Sequence, residues 1–269
     1  MVKETETYYD EKSEGYDEAF DMLYFKVFDV VTWKYLEPYV PMKRDAIVLD
    51  AGGGTGRWTI QMAGKGCRIV LMDSSRGMLE VAAEKIKRAG FQGNVSIRQG
   101  DIAETGYSDE AFDMIFCEHA LFLFKNPDIV IKELTRVLRK NGYLIISAQN
   151  RYVQSLAMLP GKPSTDDVDR VLKNQMSRSY VCMALDGRVK VYTWTPNEFR
   201  TMLERNGLQV EKIIGKGITM PLRIRKETYT RKDYPEDFFK KILELELALC
   251  EKEDALALAG HLQATTRKK

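Results

Sequence analysis

The feature that most constrains this chain is an apolar, β-branched run that ends in an acid and is followed by four glycines, over residues 47–56 (Ile-Val-Leu-Asp-Ala-Gly-Gly-Gly-Thr-Gly). Glycine has no Cβ, so it tolerates positive φ and lets the backbone approach a ligand closely. A strand that runs into such a loop forms the floor of a nucleotide-like binding site. The segment therefore predicts a ligand-binding strand, loop and helix; a tight strand-to-helix turn without a ligand is the alternative.

The spacing of these glycines separates the candidate ligands. The dinucleotide fingerprint needs a glycine at position 57, where the chain has Arg57. A phosphate loop would end in Gly-Lys-Ser or Gly-Lys-Thr, and that ending is absent here. The spacing therefore disfavours both phosphate-binding motifs.

Short apolar strands alternate with helical segments along the chain, which is the pattern of a parallel sheet covered on both faces. Seven strands are predicted, over residues 47–50, 68–73, 95–99, 112–117, 143–148, 208–216 and 261–267. Apolar periodicity predicts helices over 78–89 and 129–138. A further helix is predicted after Thr195, an N-cap that Pro196 follows and that Glu198 completes as a capping box. The predicted class is α/β, a doubly wound, seven-stranded, mostly parallel sheet.

Composition narrows the function classes. The 269 residues include 41 basic and 39 acidic side chains, a net charge of only +2, so no global field attracts nucleic acid. No apolar run approaches the roughly 20 residues of a membrane helix, and the polar, acidic N-terminus is unlike a signal peptide. We therefore expect a cytoplasmic protein without a membrane span. The four cysteines and two histidines have no metal-ligand spacing, so no metal site is predicted.

The pattern acid-x-Gly-x-Gly-x-Gly that begins at Asp50 resembles motif I of the class I S-adenosylmethionine (SAM) dependent methyltransferases. The resemblance covers residues 8–267 in outline and is strongest over 47–147. Residues 111–116 (Ala-Phe-Asp-Met-Ile-Phe) and 137–144 (Val-Leu-Arg-Lys-Asn-Gly-Tyr-Leu) look like the family's fourth strand and the elements after it. The combination most resembles the ubiquinone/menaquinone-biosynthesis-like branch, which mostly methylates small molecules. It implies a Rossmann-like methyltransferase sheet with an antiparallel last strand, SAM as cofactor and S-adenosyl-L-homocysteine as product.

The resemblance also implies cofactor contacts at successive strand ends. Asp73 follows Asp50 by 23 residues, where nucleotide-binding sheets present an acid to ribose hydroxyls. Asp101 matches the family position that receives the adenine amino group, and the backbone N–H of Ile102 meets a ring nitrogen. A helix N-cap or a turn is the alternative for either aspartate. The predicted cofactor-binding residues are Asp50, Gly52, Gly54, Gly56, Asp73, Ser74, Met78, Asp101, Ile102, Cys117 and Tyr16.

The segments outside the core are predicted to cover the site. Tyr8-Tyr9-Asp10 and Gly15-Tyr16-Asp17 resemble the family's N-terminal segment, in which an aromatic ring folds over the cofactor; an amphipathic helix that packs on the sheet is the alternative. The predicted units are an N-terminal helical lid (1–40), a SAM-binding core (41–150), a cap insertion (151–193), the continued core (194–216), a second cap insertion (217–258) and the last core strand (259–269). Apolar candidates for the cap are Met176, Tyr180, Met183, Tyr192 and Trp194, with plain core packing as the alternative.

Catalysis by such an enzyme needs few groups, because the sulfonium of SAM is already an activated methyl donor. The protein must hold an acceptor lone pair in line with the methyl carbon and remove a proton if the acceptor carries one. His119 is the candidate base, and Glu118 is the candidate to orient it or to bind a cationic acceptor. Plain packing at the strand end is the alternative for both residues.

The sequence leaves the acceptor open. A small-molecule acceptor is the first interpretation, with an RNA or protein methyltransferase and a non-catalytic SAM-binding protein as alternatives. A basic run at 223–232, including Arg223, Arg225 and Lys226, is either a recognition surface for an anionic acceptor or RNA phosphates, or a solvated face.

Overall fold

The computed structural model describes residues 2–159, 162–177, 179–182, 189–219 and 232–269. The strands are β1 (Ile47–Ala51), β2 (Arg68–Asp73), β3 (Val95–Gln99), β4 (Phe112–Cys117), β5 (Leu138–Gln149), β6 (Ser179–Cys182), β7 (Val189–Tyr192), β8 (Leu208–Lys216) and β9 (His261–Lys268). The helices are α1 (Val2–Lys12), α2 (Leu23–Leu36), α3 (Arg57–Ala63), α4 (Arg76–Arg88), α5 (Pro127–Val137), α6 (Arg151–Leu156), α7 (Thr165–Ser177), α8 (Pro196–Arg205) and α9 (Glu236–Leu249). Short 3-10 helices span Tyr16–Asp21, Glu37–Tyr39, Leu121–Leu123 and Glu253–Leu258.

Seven strands form one sheet in the order β3-β2-β1-β4-β5-β9-β8. Pairing is parallel from β3 to β5, whereas β9 runs antiparallel to both β5 and β8. This confirms the predicted doubly wound, mostly parallel sheet and its antiparallel last strand. The direction in which the sheet grows reverses between β1 and β4, and ligands of open α/β sheets bind at such a switch point.

Helices cover both faces of the sheet, which explains why its central strands are almost continuously apolar. Successive side chains of β1 point to opposite faces, so Val48 packs in the core under α3 while Leu49 packs in the core under α5. All of β1 beyond Ile47 is buried. This rigid centre carries the loops that form the candidate site.

Local capping chemistry fixes where the helices begin. In α8, Thr195 Oγ1 accepts the Glu198 N–H over 3.3 Å and the Glu198 carboxylate accepts the Thr195 N–H over 3.0 Å, which confirms the capping box. Helix α4 begins two residues before its predicted start because Ser75 is its N-cap, and α5 begins at Pro127, also two residues early.

Two segments lie outside the sheet and its flanking helices. The N-terminal segment, residues 2–21, comprises α1 and the first 3-10 helix, and α1 packs against α4. Within 151–193, a two-stranded antiparallel sheet, β6 with β7, was not anticipated. Residues 223, 225, 226 and 231 of the basic run lie outside the described residues, as do the side chains of Met176, Tyr180 and Met183. Among the helices that the structure describes, none is both long and apolar enough to cross a membrane.

Candidate active site

The carboxyl ends of β1, β2, β3 and β4 border a cavity of about 360 Å³, within the range of small-molecule sites. Its lining comes from three parts of the chain: the N-terminal segment, the strand ends, and the loop that leads into α5. The lining residues are Thr5, Tyr9, Tyr16, Phe20, Asp50, Gly52, Gly53, Gly54, Thr55, Arg57, Trp58, Asp73, Ser74, Met78, Gly100, Asp101, Ile102, Ala103, Glu118, His119, Ala120, Leu123, Phe124, Lys125, Asn126 and Ile129.

The glycine loop after β1 follows a path that only glycine adopts easily. Gly52, Gly54 and Gly56 have φ values of +73°, +53° and +75°. A Cβ on Gly52 would lie 2.6 Å from the Cβ of Ala120, whereas a Cβ on Gly54 would meet no atom within 4 Å. Since Gly54 lines the cavity, its missing side chain leaves backbone open to a ligand.

Asp73, the last residue of β2, ties this loop in place. Its Oδ2 accepts the Gly54 N–H over 2.9 Å, and its Oδ1 accepts the Ser75 N–H over 2.9 Å. Burial raises the pKa of Asp73, and the two backbone hydrogen bonds oppose that rise. Each carboxylate oxygen has a second lone pair, so the group can accept further hydrogen bonds from a ligand.

Asp50 of β1, the strand next to β2, is more deeply buried than Asp73. It is 1% exposed, and its Oδ2 accepts the Thr59 hydroxyl over 2.6 Å. Burial raises its pKa to about 7; the Thr59 hydrogen bond opposes this rise and the nearby charge of Asp73 adds to it. Asp50 is therefore a buried acid that supports the glycine loop, and it also reaches the cavity wall.

The third strand contributes an acid in a turn. Asp101 lines the cavity, and its Oδ1 accepts the Ala103 N–H over 2.8 Å, which fixes the turn after β3. Ile102 is 4% exposed and lines the same wall. Acids thus lie at three successive strand ends, on one side of the cavity.

The N-terminal segment closes the cavity from outside the sheet through two aspartates. Asp10 of α1 accepts the Ser75 hydroxyl over 2.6 Å and the Gly77 N–H over 2.9 Å. Asp17 accepts the Thr55 hydroxyl over 2.7 Å and pairs with Lys85. Asp10 thus binds the N-terminal end of α4. Asp17 binds both the glycine loop, through Thr55, and α4, through Lys85.

Aromatic rings of this segment face the cavity. Tyr16 and Phe20 line it, with their ring centroids 5.7 Å apart. Burial raises the pKa of Tyr16 to about 12, so its hydroxyl stays protonated and uncharged. The guanidinium of Arg57 stacks on Phe20, 3.7 Å from the ring centroid, and pairs with Asp29. Arg57 therefore links the N-terminal segment and α2 to α3.

His119 stands on the other side of the cavity, two residues after β4. Its φ of +55° is left-handed, a conformation that histidine adopts more readily than most non-glycine residues, and its N–H donates to Ser147 Oγ over 3.0 Å. Its Nε2 is buried without a hydrogen bond, 3.4 Å from Oε1 of Glu118. Burial, with Lys216 and Arg57 adding to its effect, holds the pKa of His119 well below its usual range. The imidazole is therefore uncharged at neutral pH.

Glu118 is held by a buried lysine. Lys216 Nζ donates to both carboxylate oxygens of Glu118, over 2.9 and 2.8 Å, and also to Thr32 Oγ1 and Gln263 Oε1, each over 3.0 Å. The Phe28 ring centroid lies 4.1 Å from the same nitrogen. The Lys216 side chain has no exposed surface and that of Glu118 is 3% exposed. The carboxylate is thus fixed beside His119.

Most of the predicted cofactor-binding and catalytic residues line this one cavity. The exceptions are Gly56, which is the N-cap of α3, and Cys117, which is fully buried in the core with a pKa raised by burial. Tyr192 and Trp194, predicted for the cap, pack on the main core instead. Of the described residues between 151 and 258, none lines the cavity.

Sequence reasoning missed three contributors. The strand pattern places Lys216 only at the end of a strand, although a lysine inside the apolar run Ile-Ile-Gly-Lys-Gly-Ile is a signal of burial. From the sequence, Arg57 is only the residue that breaks the dinucleotide fingerprint. Thr55 lies between the glycines without a signal of its own, yet it lines the cavity and binds Asp17 of the N-terminal segment.

The groups that line the cavity fit SAM. Gly54 offers backbone at an open wall, Asp73 and Asp101 offer carboxylate oxygens, and Tyr16 offers an aromatic ring. In the described parts of the chain, no group of three or more His, Cys, Asp or Glu side chains is arranged to hold a metal ion.

Known proteins share this pattern and this fold. A family model described as a methyltransferase domain matches residues 42–207, more than half of the chain. The tRNA 5-carboxymethoxyuridine methyltransferase of Escherichia coli O157:H7 is 26% identical over 224 residues, which are 82% of this chain and 79% of that enzyme. The ubiquinone/menaquinone biosynthesis C-methyltransferase UbiE of Pseudomonas paraeruginosa is 32% identical over 137 residues, 45% of this chain and 54% of that enzyme. The crystal structure of a SAM-dependent methyltransferase from Mesorhizobium loti has a TM-score of 0.58 at 16% identity and covers 88% of this chain and 97% of that one.

Proposed function

The chain belongs to the SAM-dependent methyltransferases that carry this methyltransferase domain, and from that premise we propose that its methyl acceptor is a small molecule bound beside His119. The acceptor lies on the side of the cavity formed by His119 and the residues that lead into α5, such as Leu123 and Phe124. The cofactor takes the opposite side, at the ends of β1, β2 and β3.

When bound, SAM supplies a methyl group that is already activated by the sulfonium charge. The carboxylate of Asp73 accepts hydrogen bonds from the ribose hydroxyls, and Asp101 with the N–H of Ile102 binds the adenine. The backbone of Gly52 and Gly54 forms the floor. Tyr16 lies in the lid, where its neutral ring favours a cationic ligand by about 1 kcal/mol or more once water is excluded.

The observation that carries the small-molecule proposal is the lining of the cavity. Of the Asp, Glu, Lys and Arg residues described there, four are acids and two are cations: Asp50, Asp73, Asp101, Glu118, Arg57 and Lys125. Arg57 is already paired with Asp29. Proteins bind the phosphate backbone of RNA chiefly through Lys and Arg, so this lining is unlike an RNA groove. The lid, held by Asp10 and Asp17, also favours an enclosed acceptor.

His119 is the base of the proposed reaction when the acceptor is a hydroxyl. Its imidazole is uncharged, so it would take the proton of the acceptor hydroxyl, while SAM would supply the methyl group and leave as S-adenosyl-L-homocysteine. Glu118, close to Nε2, would orient the ring. A thiolate or a neutral amine needs no such help, since its lone pair is ready to attack.

A tRNA acceptor is the second candidate, because the E. coli tRNA methyltransferase aligns with more of this chain than UbiE does. One experiment separates the candidates. The purified protein is incubated with methyl-labelled SAM and a cell extract, which is then divided into a low-molecular-weight filtrate, RNA and protein. We expect label in a filtrate compound that chromatography separates from SAM and that resists nuclease.

Other outcomes of this experiment contradict the proposal. Label that stays with RNA and is released by nuclease supports the tRNA alternative, and label in the protein fraction supports a protein methyltransferase. No transfer despite SAM binding indicates a non-catalytic SAM-binding protein. His119→Asn is the matched control, because it should bind SAM yet transfer less label to a hydroxyl acceptor.

A further inference from the structure

Lys216 occupies an unusual position for a lysine. It is the last residue of β8, its side chain has no exposed surface, and its ammonium is surrounded by protein oxygens and one aromatic ring. Removing an ammonium and a carboxylate from water is costly, and replacing a buried ion pair by apolar residues of similar volume is often neutral or stabilising. A buried Lys216–Glu118 pair is therefore weak evidence for a purely stabilising role.

The pair lies against the proposed base. Glu118 is 98 residues before Lys216 in the chain, lines the cavity, and places Oε1 3.4 Å from the Nε2 of His119. Lys216 itself is absent from the cavity lining. Any effect of Lys216 on the reaction must then pass through Glu118 or through its own charge.

We propose that Lys216 is a positioning residue of the methyl-transfer site: it clamps both oxygens of Glu118 and thereby holds the His119 imidazole in one tautomer beside the acceptor. This inference rests on the proposed role of His119 as a base. The carboxylate near Nε2 favours the proton on that nitrogen, which leaves Nδ1 as the lone pair that takes a proton.

The charges around His119 agree with this role. Charged or titratable groups from five elements influence His119 or Lys216: Asp29 of α2, Arg57 of α3, Glu118 after β4, Lys216 of β8 and His261 of β9. Burial and the cations disfavour the imidazolium, and Lys216 neutralises the carboxylate that would favour it. Without Lys216, a cation is lost and Glu118 stands uncompensated next to His119. Both changes raise the His119 pKa.

The test is a titration of the two histidines by NMR of imidazole-labelled protein, which needs no acceptor. His119→Asn leaves only the His261 signals and so assigns both residues. In the parent protein we expect His119 to stay neutral, as the Nε2–H tautomer, to well below pH 6.5. In Lys216→Met we expect its midpoint to rise toward 6.5. The rate with an identified hydroxyl acceptor should then fall about tenfold per pH unit below that midpoint and recover at higher pH.

Two further variants keep the test decisive. Lys212→Met is the matched control, since Lys212 lies on the same strand but pairs with Glu251 at the surface, so the His119 titration should not move. The double variant Glu118→Gln/Lys216→Met removes both buried charges and covers the case in which Lys216→Met alone does not fold. In the double variant we expect His119 to stay neutral but to lose its single tautomer.

The proposal is overturned if His119 titrates in Lys216→Met as it does in the parent, or if the double variant keeps the parent tautomer. It is also overturned if Lys216→Met loses activity equally at every pH, because that result indicates a merely structural lysine. If the NMR titrations give the expected results but no small molecule other than SAM is labelled, the proposed function is contradicted. The effect of Lys216 on His119 is still supported in that case.

Discussion

The N–H of Gly54 donates a hydrogen bond of 2.9 Å to Oδ2 of Asp73, so the side chain that ends β2 holds the loop that follows β1. One carboxylate thus orders the glycine loop and faces the cavity with lone pairs to spare. A substitution of Asp73 is therefore the most direct test of the cofactor site.

Asp73→Ala should weaken SAM binding by about tenfold or more while the protein still folds. A charge-assisted hydrogen bond is commonly worth about 1.5–3 kcal/mol, and about 1.4 kcal/mol is tenfold in affinity. Calorimetric titration with SAM measures the loss. Asp109→Ala, which removes a surface carboxylate paired with Arg136, is the control. Unchanged affinity in Asp73→Ala would mean that Asp73 only orders the loop.

Gly54→Ala should chiefly weaken SAM binding, whereas Gly52→Ala should chiefly lower the stability of the fold. Both positions have positive φ, so either alanine is strained by about 1–3 kcal/mol. The new Cβ at 54 meets open space in the cavity, whereas the one at 52 collides with Ala120 at 2.6 Å. We expect Gly54→Ala to stay folded with weakened SAM affinity and Gly52→Ala to lose more thermal stability. Equal melting temperatures would contradict this distinction.

Asp50 should make the unfolding free energy depend on pH. Its pKa is raised from 3.8 unfolded to about 7 folded. The folded state therefore holds this proton more tightly, and the stabilisation is complete below pH 3.8 and lost as the pH rises through 7. Relative to Asp50→Asn, the parent should lose up to about 1.4 kcal/mol per pH unit across this window. Urea unfolding at pH 5 and pH 8 measures it; parallel pH profiles would argue against a buried, protonated Asp50.

Asp17→Asn should speed the release of SAM several-fold. The substitution removes the ion pair with Lys85 and weakens the hydrogen bond from Thr55, so the lid opens more easily. Such partly exposed ion pairs stabilise by about 0.2–1 kcal/mol, so the expected increase in the release rate is modest. Stopped-flow measurement of Trp58 fluorescence at the cavity wall gives the rate. Asp21→Asn, in the same segment but paired only weakly with Lys26, should not change it.

His119→Asn should keep the affinity for SAM and lower the transfer rate to a hydroxyl acceptor by about 10²-fold or more. Burial, Lys216 and Arg57 lower the His119 pKa, so the acidic limb of the parent rate profile should lie well below pH 6.5 and disappear in the variant. Rate measurements from pH 4.5 to 8 check this. A parent-like rate with such an acceptor would remove His119 from the catalytic residues.

Much of the fold could be read from local patterns. The seven predicted strands can be recognised from local sequence without knowing their hydrogen-bond partners, and the capping box at Thr195 lies within four residues. The glycine loop, Asp73 and Asp101 were found because short-range spacing fixes them at consecutive strand ends. None of the described residues of the predicted cap insertions lines the cavity, so their role at the acceptor side stays a prediction.

The sequence by itself determined the α/β class and the parallel core, since alternating strands and helices are local patterns. Its resemblance to the class I SAM-dependent methyltransferases, carried by the glycine motif after Asp50, added the antiparallel last strand and SAM as the cofactor. Only the tertiary structure decided what surrounds His119. The order of the strands brings Lys216 of β8 to Glu118, just after β4, across 98 residues, and the packing of α1 on α4 brings Asp10 to Ser75 across 65. Contacts of this kind depend on how the sheet is wound and how helices pack on it, which no local spacing encodes. The burial that keeps the His119 imidazole uncharged has the same origin.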